Sequence, residues 1–187
     1  MDLTIRIGGE AGQGLQLIGG VLSKMFSRYG LHVFTHQDYM SRIRGGHNYY
    51  QIRISQNRIT ASRNVIDILM ALDADTVSFH RKDLAENGII LYDAETVKKE
   101  FTGKEFVNVP FFGITETKGI SSIMSNSVAV GAMLGILGFE LDLFEKTIAG
   151  FLGNKGKEVI ATNKDAAQAE QTLVLARHGH RGLVAFA

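Results

Sequence analysis

The stretch Ile5-Arg6-Ile7-Gly8-Gly9-Glu10-Ala11-Gly12-Gln13-Gly14-Leu15 constrains the fold more than any other part of this chain. A short β-branched strand runs into a glycine-rich turn and then into a periodic helix. Ile18, Val21, Leu22, Met25, Phe26 and Tyr29 recur at the i, i+3, i+4, i+7 spacing of one buried face, and Gly30 supplies the stop. Glycines at such a turn can take positive φ and leave no Cβ in the way, so main-chain N–H groups at the helix start can close on a ligand. Those unpaired donors and the positive end of the helix dipole favour an anion such as phosphate. The same turn also serves tight strand-to-helix packing. Gly19-Gly20, in mid-helix, costs about 1 kcal/mol per glycine relative to alanine, which points to close approach of a strand or a partner.

Further along, Leu31–Thr35 reads as a second strand, followed by the polar stretch from His36 to His47. Asn48–Ser55 alternates, with Tyr50, Ile52 and Ile54 on one face and Tyr49, Gln51 and Arg53 on the other, as in a half-buried strand. Gln56-Asn57 then offers a turn into Arg58–Ser62, predicting an antiparallel hairpin there. Val65–Leu72 is nearly continuous apolar sequence, the pattern of a strand covered on both faces. Asp73–Thr76 can cap a helix to about Ala85, Asn87-Gly88 reads as a turn into a strand Ile89–Tyr92, and Phe106–Val109 is a further strand. The last third reads as helical. Ser125-Asn126-Ser127 caps a run from Val128 to Phe139 whose Gly131, Ala132, Gly135 and Gly138 form a small-residue face. Two more helices follow, Leu141–Leu152 and Lys157–Arg177, the second with a stripe of Val159, Asn163, Ala166, Ala169, Leu173 and Ala176. Asn163 is either a satisfied core group or a ligand-facing one.

Alternating, mostly buried strands and helices define an α/β fold class: a three-layer α/β/α domain, Rossmann-like, with a mixed, mostly parallel sheet and one antiparallel hairpin. The 187 residues suit a single domain spanning 1–187. In open sheets of this class ligands sit beyond the carboxyl ends of the strands, where the glycine turn and the residues after the second strand should meet.

Composition removes several functions. A net charge of +1 is far from the basic excess of a nucleic-acid or membrane-surface binder. With no cysteine, the chain itself holds no disulfide and no thiolate-bound iron–sulfur cluster, and it fits a reducing cytoplasm. The longest apolar run, Val128 to Phe139, is well short of the ~20 residues that span a bilayer. Six histidines show no metal-ligand spacing, and His178-Gly179-His180 reads as a frayed end. No nucleophile motif stands out.

Three readings of the glycine turn can be compared. A Walker A loop would place lysine and a hydroxyl residue after Gly14, where Leu15 and Gln16 stand, so nothing is left to hold a γ-phosphate and magnesium. A dinucleotide loop is approximated by Gly9, Ala11 and Gly14, with Asp38 as the ribose-binding acid of an NAD-dependent oxidoreductase, although Glu10 puts negative charge inside the turn. The third reading pairs the turn with Ser41-Arg42-Ile43-Arg44-Gly45-Gly46, a compact donor-rich loop suited to phosphate or carboxylate. Alone, such a loop is more commonly a solvated basic segment; its place after the second strand, beside the glycine turn, is what favours a ligand.

Gly8–Gly14 together with Ser41–Gly46, and with Asn126 before a small-residue helix, resembles the gamma subunit, or gamma domain, of the 2-oxoacid:ferredoxin oxidoreductases. The likeness spans nearly the whole chain. It implies an accessory subunit, inactive alone, in an enzyme that oxidatively decarboxylates a 2-oxoacid to an acyl-coenzyme A and passes electrons to ferredoxin. It further implies alpha, beta and ferredoxin-like delta-type partner subunits that hold thiamine diphosphate, Mg and the iron–sulfur clusters, with none bound by this chain alone. Coenzyme A is the shared substrate. The residues expected at its site are Gly9, Gly12, Gln13, Gly14, Ser41, Arg42, Arg44, Gly45, Gly46 and Asn126, with Arg42 and Arg44 either neutralising the ligand or pinning the subunit interface.

Overall fold

The structure is a computed structural model that describes residues 1–39, 46–110, 122–152 and 157–178. In chain order it comprises β1 (Asp2–Glu10), α1 (Leu15–Arg28), β2 (His32–Tyr39), β3 (His47–Ser55), β4 (Ile66–Ala71) and α2 (Ala74–His80). A 3-10 turn, Arg81–Asp83, then leads to β5 (Leu84–Tyr92), α3 (Ala94–Val97), β6 (Phe106–Asn108), α4 (Ser122–Leu137), α5 (Phe144–Leu152) and α6 (Lys157–His178). The sheet order is β2-β3-β1-β4-β5-β6, with β1, β4, β5 and β6 parallel and β3 antiparallel to both of its neighbours.

Alternation decides the two sides of this sheet. Ile5 and Ile7 of β1, with Tyr50, Ile52 and Ile54 of β3, pack under α1, α4 and α5 in the larger core. On the opposite side Ile66, Leu69, Ile90 and Tyr92 form a smaller core with Val77 of α2 and Val97 of α3. This is the expected three-layer arrangement. Among the described residues no helix is long and apolar enough to cross a membrane.

The helix after the glycine turn behaves as its periodicity predicts. Ile18, Val21, Leu22, Met25 and Phe26 are all buried. Its end is closed by Gly30 at φ 85°, with Gly30 N–H donating to Ser27 and Leu31 N–H to Phe26, the paired bonds of a Schellman stop. Gly19 and Gly20 admit close neighbours: a Cβ on the first would lie 2.4 Å from the Tyr50 ring, and on the second 2.8 Å from that of Phe151.

Four expectations need correction. The antiparallel hairpin is formed by β2 and β3, not by β3 and Arg58–Ser62. Both edges of β3 are already paired, to β2 and β1, so the later segment has no free ladder and is held by side chains instead. Arg53 donates to the Ala61 carbonyl at 2.9 Å and Gln51 to that of Arg63 at 2.8 Å. Second, Asn87-Gly88 is no turn. β5 runs through it, and the step from Ile66 to Ile68 on β4 faces the longer step from Leu84 to Ile89, so Gly88 marks a bulge against the Ile66 carbonyl. The helix capped by Asp73 accordingly stops at His80, short of Ala85.

Third, α4 starts at Ser122, so Ser125, Asn126 and Ser127 lie inside the helix and not at its cap position; α5 likewise starts late, at Phe144. Fourth, α6 buries Asn163, Ala166, Ala167, Glu170 and Gln171, while Ala169 and Leu173 face outward. The small-residue face of α4 sets this rotation. A Cβ on Gly131 would lie 2.1 Å from the Ala167 carbonyl oxygen, and one on Gly135 3.1 Å from that of Gln171. Asn163 is a satisfied core group: it accepts from Ser127 and donates to the Val159 carbonyl, both at 2.7 Å.

Candidate functional site

At the carboxyl end of β1 the chain turns through Ala11–Gly14, with Gly12 at φ 96° and Gly14 at φ 84°. Gly14 is the N-cap of α1 and offers no side-chain oxygen, and the first turn of the helix carries no acidic residue. Ile18 N–H closes the first helical bond, onto the Gly14 carbonyl at 3.0 Å. The amides before it lack intrahelical acceptors, and the positive end of the dipole is left uncompensated by any nearby carboxylate of the helix.

Gln13 fixes the turn. Its side-chain oxygen accepts from Glu10 N–H at 2.7 Å and its amide donates to the Leu72 carbonyl at 3.2 Å, tying the loop to the ends of β1 and β4. Gly9 lies directly beneath it, where a Cβ would meet the Gln13 oxygen at 2.4 Å and Leu72 Cβ at 3.1 Å. The Gln13 side chain is thus spent on shaping the loop, and what a ligand meets there is main chain. Asn126 reaches the same place from α4: a Cβ on Gly14 would lie 2.2 Å from Asn126 Nδ2 and 2.4 Å from its Oδ1. Among the described residues, nothing lies within 4 Å of where a Cβ on Gly12 would stand.

The turn opens on a cleft of about 620 Å³ lined by Gly12, Gly14, Leu15, Gln16, Gln37, Tyr39, Asn48, Tyr49, Tyr50 and Phe151. One wall is the start of α1, the other the β2–β3 hairpin. Gln16 donates to the Tyr39 hydroxyl at 2.5 Å, and that hydroxyl donates to Gln37, which closes the rim between helix and hairpin. Aromatic rings and exposed amides side by side suit a ligand with a flat apolar part and an anionic part.

Gly9, Gly12, Gln13, Gly14 and Asn126 therefore converge, although Asn126 does so from within a helix. Gly46 is half-buried and leads into β3. Ser41, Arg42, Arg44 and Gly45 lie outside the described residues; the segment that carries them joins Tyr39, on the cleft rim, to Gly46. Asp38 lines a different cleft from the glycine turn, which removes the acid that a dinucleotide loop requires, and the NAD-binding alternative is not supported.

That other cleft, about 360 Å³, is lined by Arg6, Asp38, His47, Tyr49, Asn64, Phe79, His80, Lys82 and Asp83. Arg6 donates to Gln51 from Nε at 2.8 Å and Nη2 at 2.6 Å, and its Nη1 lies 3.0 Å from His80 Nδ1 and 3.3 Å from Asp83. His80 Nε2 is 2.7 Å from His47 Nε2. Burial, with the Arg6 cation beside it, pushes His80 down to about 4, and burial lowers His47 as well. Sequence reasoning missed this cluster. Its one local signal is that the buried β1 alternates, with Thr4 and Arg6 interleaved with Leu3, Ile5 and Ile7, which demands polar partners on that side.

Comparison with known proteins agrees with the fold. The family model described as pyruvate ferredoxin/flavodoxin oxidoreductase matches residues 4–170. Subunit alpha of 2-oxoacid:ferredoxin oxidoreductase 2 from Aeropyrum pernix is 27% identical over 155 residues, 80% of this chain but 24% of that protein, so the chain spans about a quarter of that relative's length. The gamma subunit of a keto/oxoacid ferredoxin oxidoreductase from Geobacter sulfurreducens superposes with a TM-score of 0.78 at 26% identity, covering 94% of this chain and 98% of that one. A 2-oxoglutarate:ferredoxin oxidoreductase from Magnetococcus marinus, with 2-oxoglutarate, coenzyme A and succinyl-CoA bound, shares the fold with a TM-score of 0.84 at 24% identity over 94% of this chain and 31% of that one. With a match to the family model over residues 4–170, most of its length, the chain belongs to the pyruvate ferredoxin/flavodoxin oxidoreductase family.

Proposed function

We propose that this chain is the gamma-type module of a 2-oxoacid:ferredoxin oxidoreductase and that its glycine cleft forms one wall of the coenzyme A site. The observation that carries the reading is the bare amino terminus of α1, with Gly12 and Gly14 at positive φ, opening on an aromatic-lined cleft. Coenzyme A has the matching parts: phosphates for the amides, a flat base for the rings and a long flexible arm. The Magnetococcus neighbour, of the same fold, binds coenzyme A.

On this reading the chain performs no covalent step. It holds the carrier while alpha, beta and ferredoxin-like delta-type subunits supply thiamine diphosphate, Mg and the iron–sulfur clusters. Arg42 and Arg44, in the sequence between β2 and β3, supply positive charge either for the carrier's phosphates or for the subunit interface. The enzyme works in the cytoplasm.

Gly12→Ala tests the reading in the assembled enzyme. A Cβ at Gly12 touches nothing among the described residues, so against these the change acts through backbone strain in the anion loop, of about 1–2 kcal/mol. The KM for coenzyme A rises several-fold with the KM for the 2-oxoacid unchanged. An unaltered coenzyme A KM in an intact complex rejects the site. The lone chain shows no 2-oxoacid oxidation until partner subunits are added.

A further inference from the structure

Arg6 dictates the protonation pattern of the two histidines behind the hairpin. A guanidinium has only donors, so its 3.0 Å contact with His80 Nδ1 is a donation to a bare ring nitrogen. His80 then carries its proton on Nε2 and donates it, over 2.7 Å, to His47 Nε2. That leaves the His47 proton on Nδ1, an atom that is buried and has no hydrogen-bond partner among the described residues. Arg6, His47 and His80 are 5%, 8% and 7% exposed, and their links are direct, at 3.0 and 2.7 Å, with no room for a water between the bonded atoms. Adding a proton to His80 would set donor against donor toward Arg6, and adding one to His47 would do so toward His80.

The relay ends where the hairpin begins. His47 is the first residue of β3, following directly on Gly46. Gln51, two positions after Tyr49, takes both remaining arms of Arg6, and the Arg6 guanidinium lies over the Tyr49 ring at 4.6 Å. Three successive positions on one face of β3 are thereby held by β1 and α2. The intervening residues, Asn48 and Tyr50, line the glycine cleft, and Tyr49 lines both clefts.

We propose that Arg6, His80 and His47 are positioning residues, a tautomer-locked relay that fixes the base of the β2–β3 hairpin and with it the wall of the glycine cleft. The effect on coenzyme A rests on the function proposed above; the lock on the hairpin does not.

Nitrogen-15 spectra of the histidine rings in the full chain at neutral pH test the lock directly. The expected signature is Nε2–H for His80 and Nδ1–H, the less populated tautomer of a free imidazole, for His47; the opposite tautomer at either ring overturns the relay. Two variants then separate positioning from filling of space. In His80→Gln the amide oxygen accepts from Arg6 and the amide nitrogen donates to His47, whereas His80→Leu keeps similar bulk with neither link. Amide hydrogen exchange in β3 rises at least tenfold in His80→Leu, with β4 and β5 unchanged, and stays near wild type in His80→Gln. In the assembled enzyme His80→Leu raises the KM for coenzyme A with little change in kcat, and His80→Gln restores it. Equal exchange in the two variants overturns the proposal, and if His80→Leu does not fold, loss of β3 protection in His80→Gln overturns it equally. A normal coenzyme A KM in Gly12→Ala would reject the cleft's function while leaving the tautomers and the exchange data to judge the relay.

Discussion

Gly14 and Asn126 offer a quantitative test of how the anion loop is built, because one side chain occupies the space a second would need. Gly14→Ala adds two costs. Holding a non-glycine residue at φ 84° costs about 1–2 kcal/mol. The new methyl group would also stand 2.2–2.5 Å from Nδ2, Oδ1 and Cγ of Asn126, an overlap of the kind that costs about 1–3 kcal/mol. The sum is roughly 2–5 kcal/mol, or a fall in Tm of about 4–20 °C for a chain of this size. Each clashing atom of Asn126 lies beyond its Cβ, so Asn126→Ala removes the whole overlap while costing only about 0.5–1 kcal/mol for its own lost contacts. The double variant should therefore be no less stable than Gly14→Ala, with a coupling energy of about 1–3 kcal/mol, read from urea denaturation of the four chains. Costs that add to within about 0.5 kcal/mol would show that Asn126 is not seated on the turn, and the convergence of α4 on the helix start would fall with it.

Other expectations follow from the same geometry. Gly131→Ala should destabilise by more than about 3 kcal/mol, since its Cβ meets the α6 backbone at Ala167, whereas Gly150→Ala, with only Lys24 Nζ 3.5 Å away, should gain a few tenths to 1 kcal/mol in helix propensity; denaturant midpoints decide both. His80 has a folded pKa of about 4 against an ordinary value of 6.5, so the fold prefers the neutral ring. Its contribution to stability is complete above about pH 6.5 and lost as pH falls toward 4, and His80→Gln, which cannot take up the proton, should flatten that acid limb in a series of unfolding curves. Arg42→Ala with Arg44→Ala in a reconstituted complex should raise the coenzyme A requirement or loosen assembly; unchanged kinetics together with unchanged gel filtration would reject both roles.

What could be read from the sequence was local. The glycine turn into α1, the buried stripe of that helix and its stop at Gly30 each depend on neighbours a few residues away and each is present, although β1 runs on through Gly8 and Gly9 and the turn itself is confined to Ala11–Gly14. The misplaced features depend on remote partners. Nothing between Asn48 and Ser62 reveals that β3 enters the sheet between β1 and β2 and so has no edge left for Arg58–Ser62. The buried face of α6 is chosen by Gly131 and Gly135 of α4, which shift it from Ala169 and Leu173 to Ala167, Glu170 and Gln171. Asn126 entered the candidate site only through family resemblance, since its own segment reads as a cap. The relay escaped for a similar reason: Arg6, His47, Gln51 and His80 come from three separated stretches of chain, each unremarkable alone.

Both clefts depend on a single strand, and this bears on why a buried cation is tolerated so near a binding site. Because side chains alternate, a slip of β3 by one residue would send His47, Tyr49 and Gln51 to the glycine cleft and Asn48, Tyr50 and Ile52 to the opposite face. Backbone pairing alone resists such a slip weakly, since every register makes similar ladder bonds. The hydrophobic contacts of Tyr50, Ile52 and Ile54 under α1 resist it from one side. From the other, Arg6 faces Gln51 in register, while Arg53 pairs with Asp2 at 2.7 Å. A slipped strand would take Gln51 away from Nε and Nη2 of the buried Arg6 guanidinium and leave it His80 and Asp83 alone, a loss on the order of 1–3 kcal/mol for buried donors without an acceptor. An apolar residue at Arg6 could fill the same space, yet it would carry no such penalty for the wrong register. The cleft wall would then rest on packing from one face of the sheet alone.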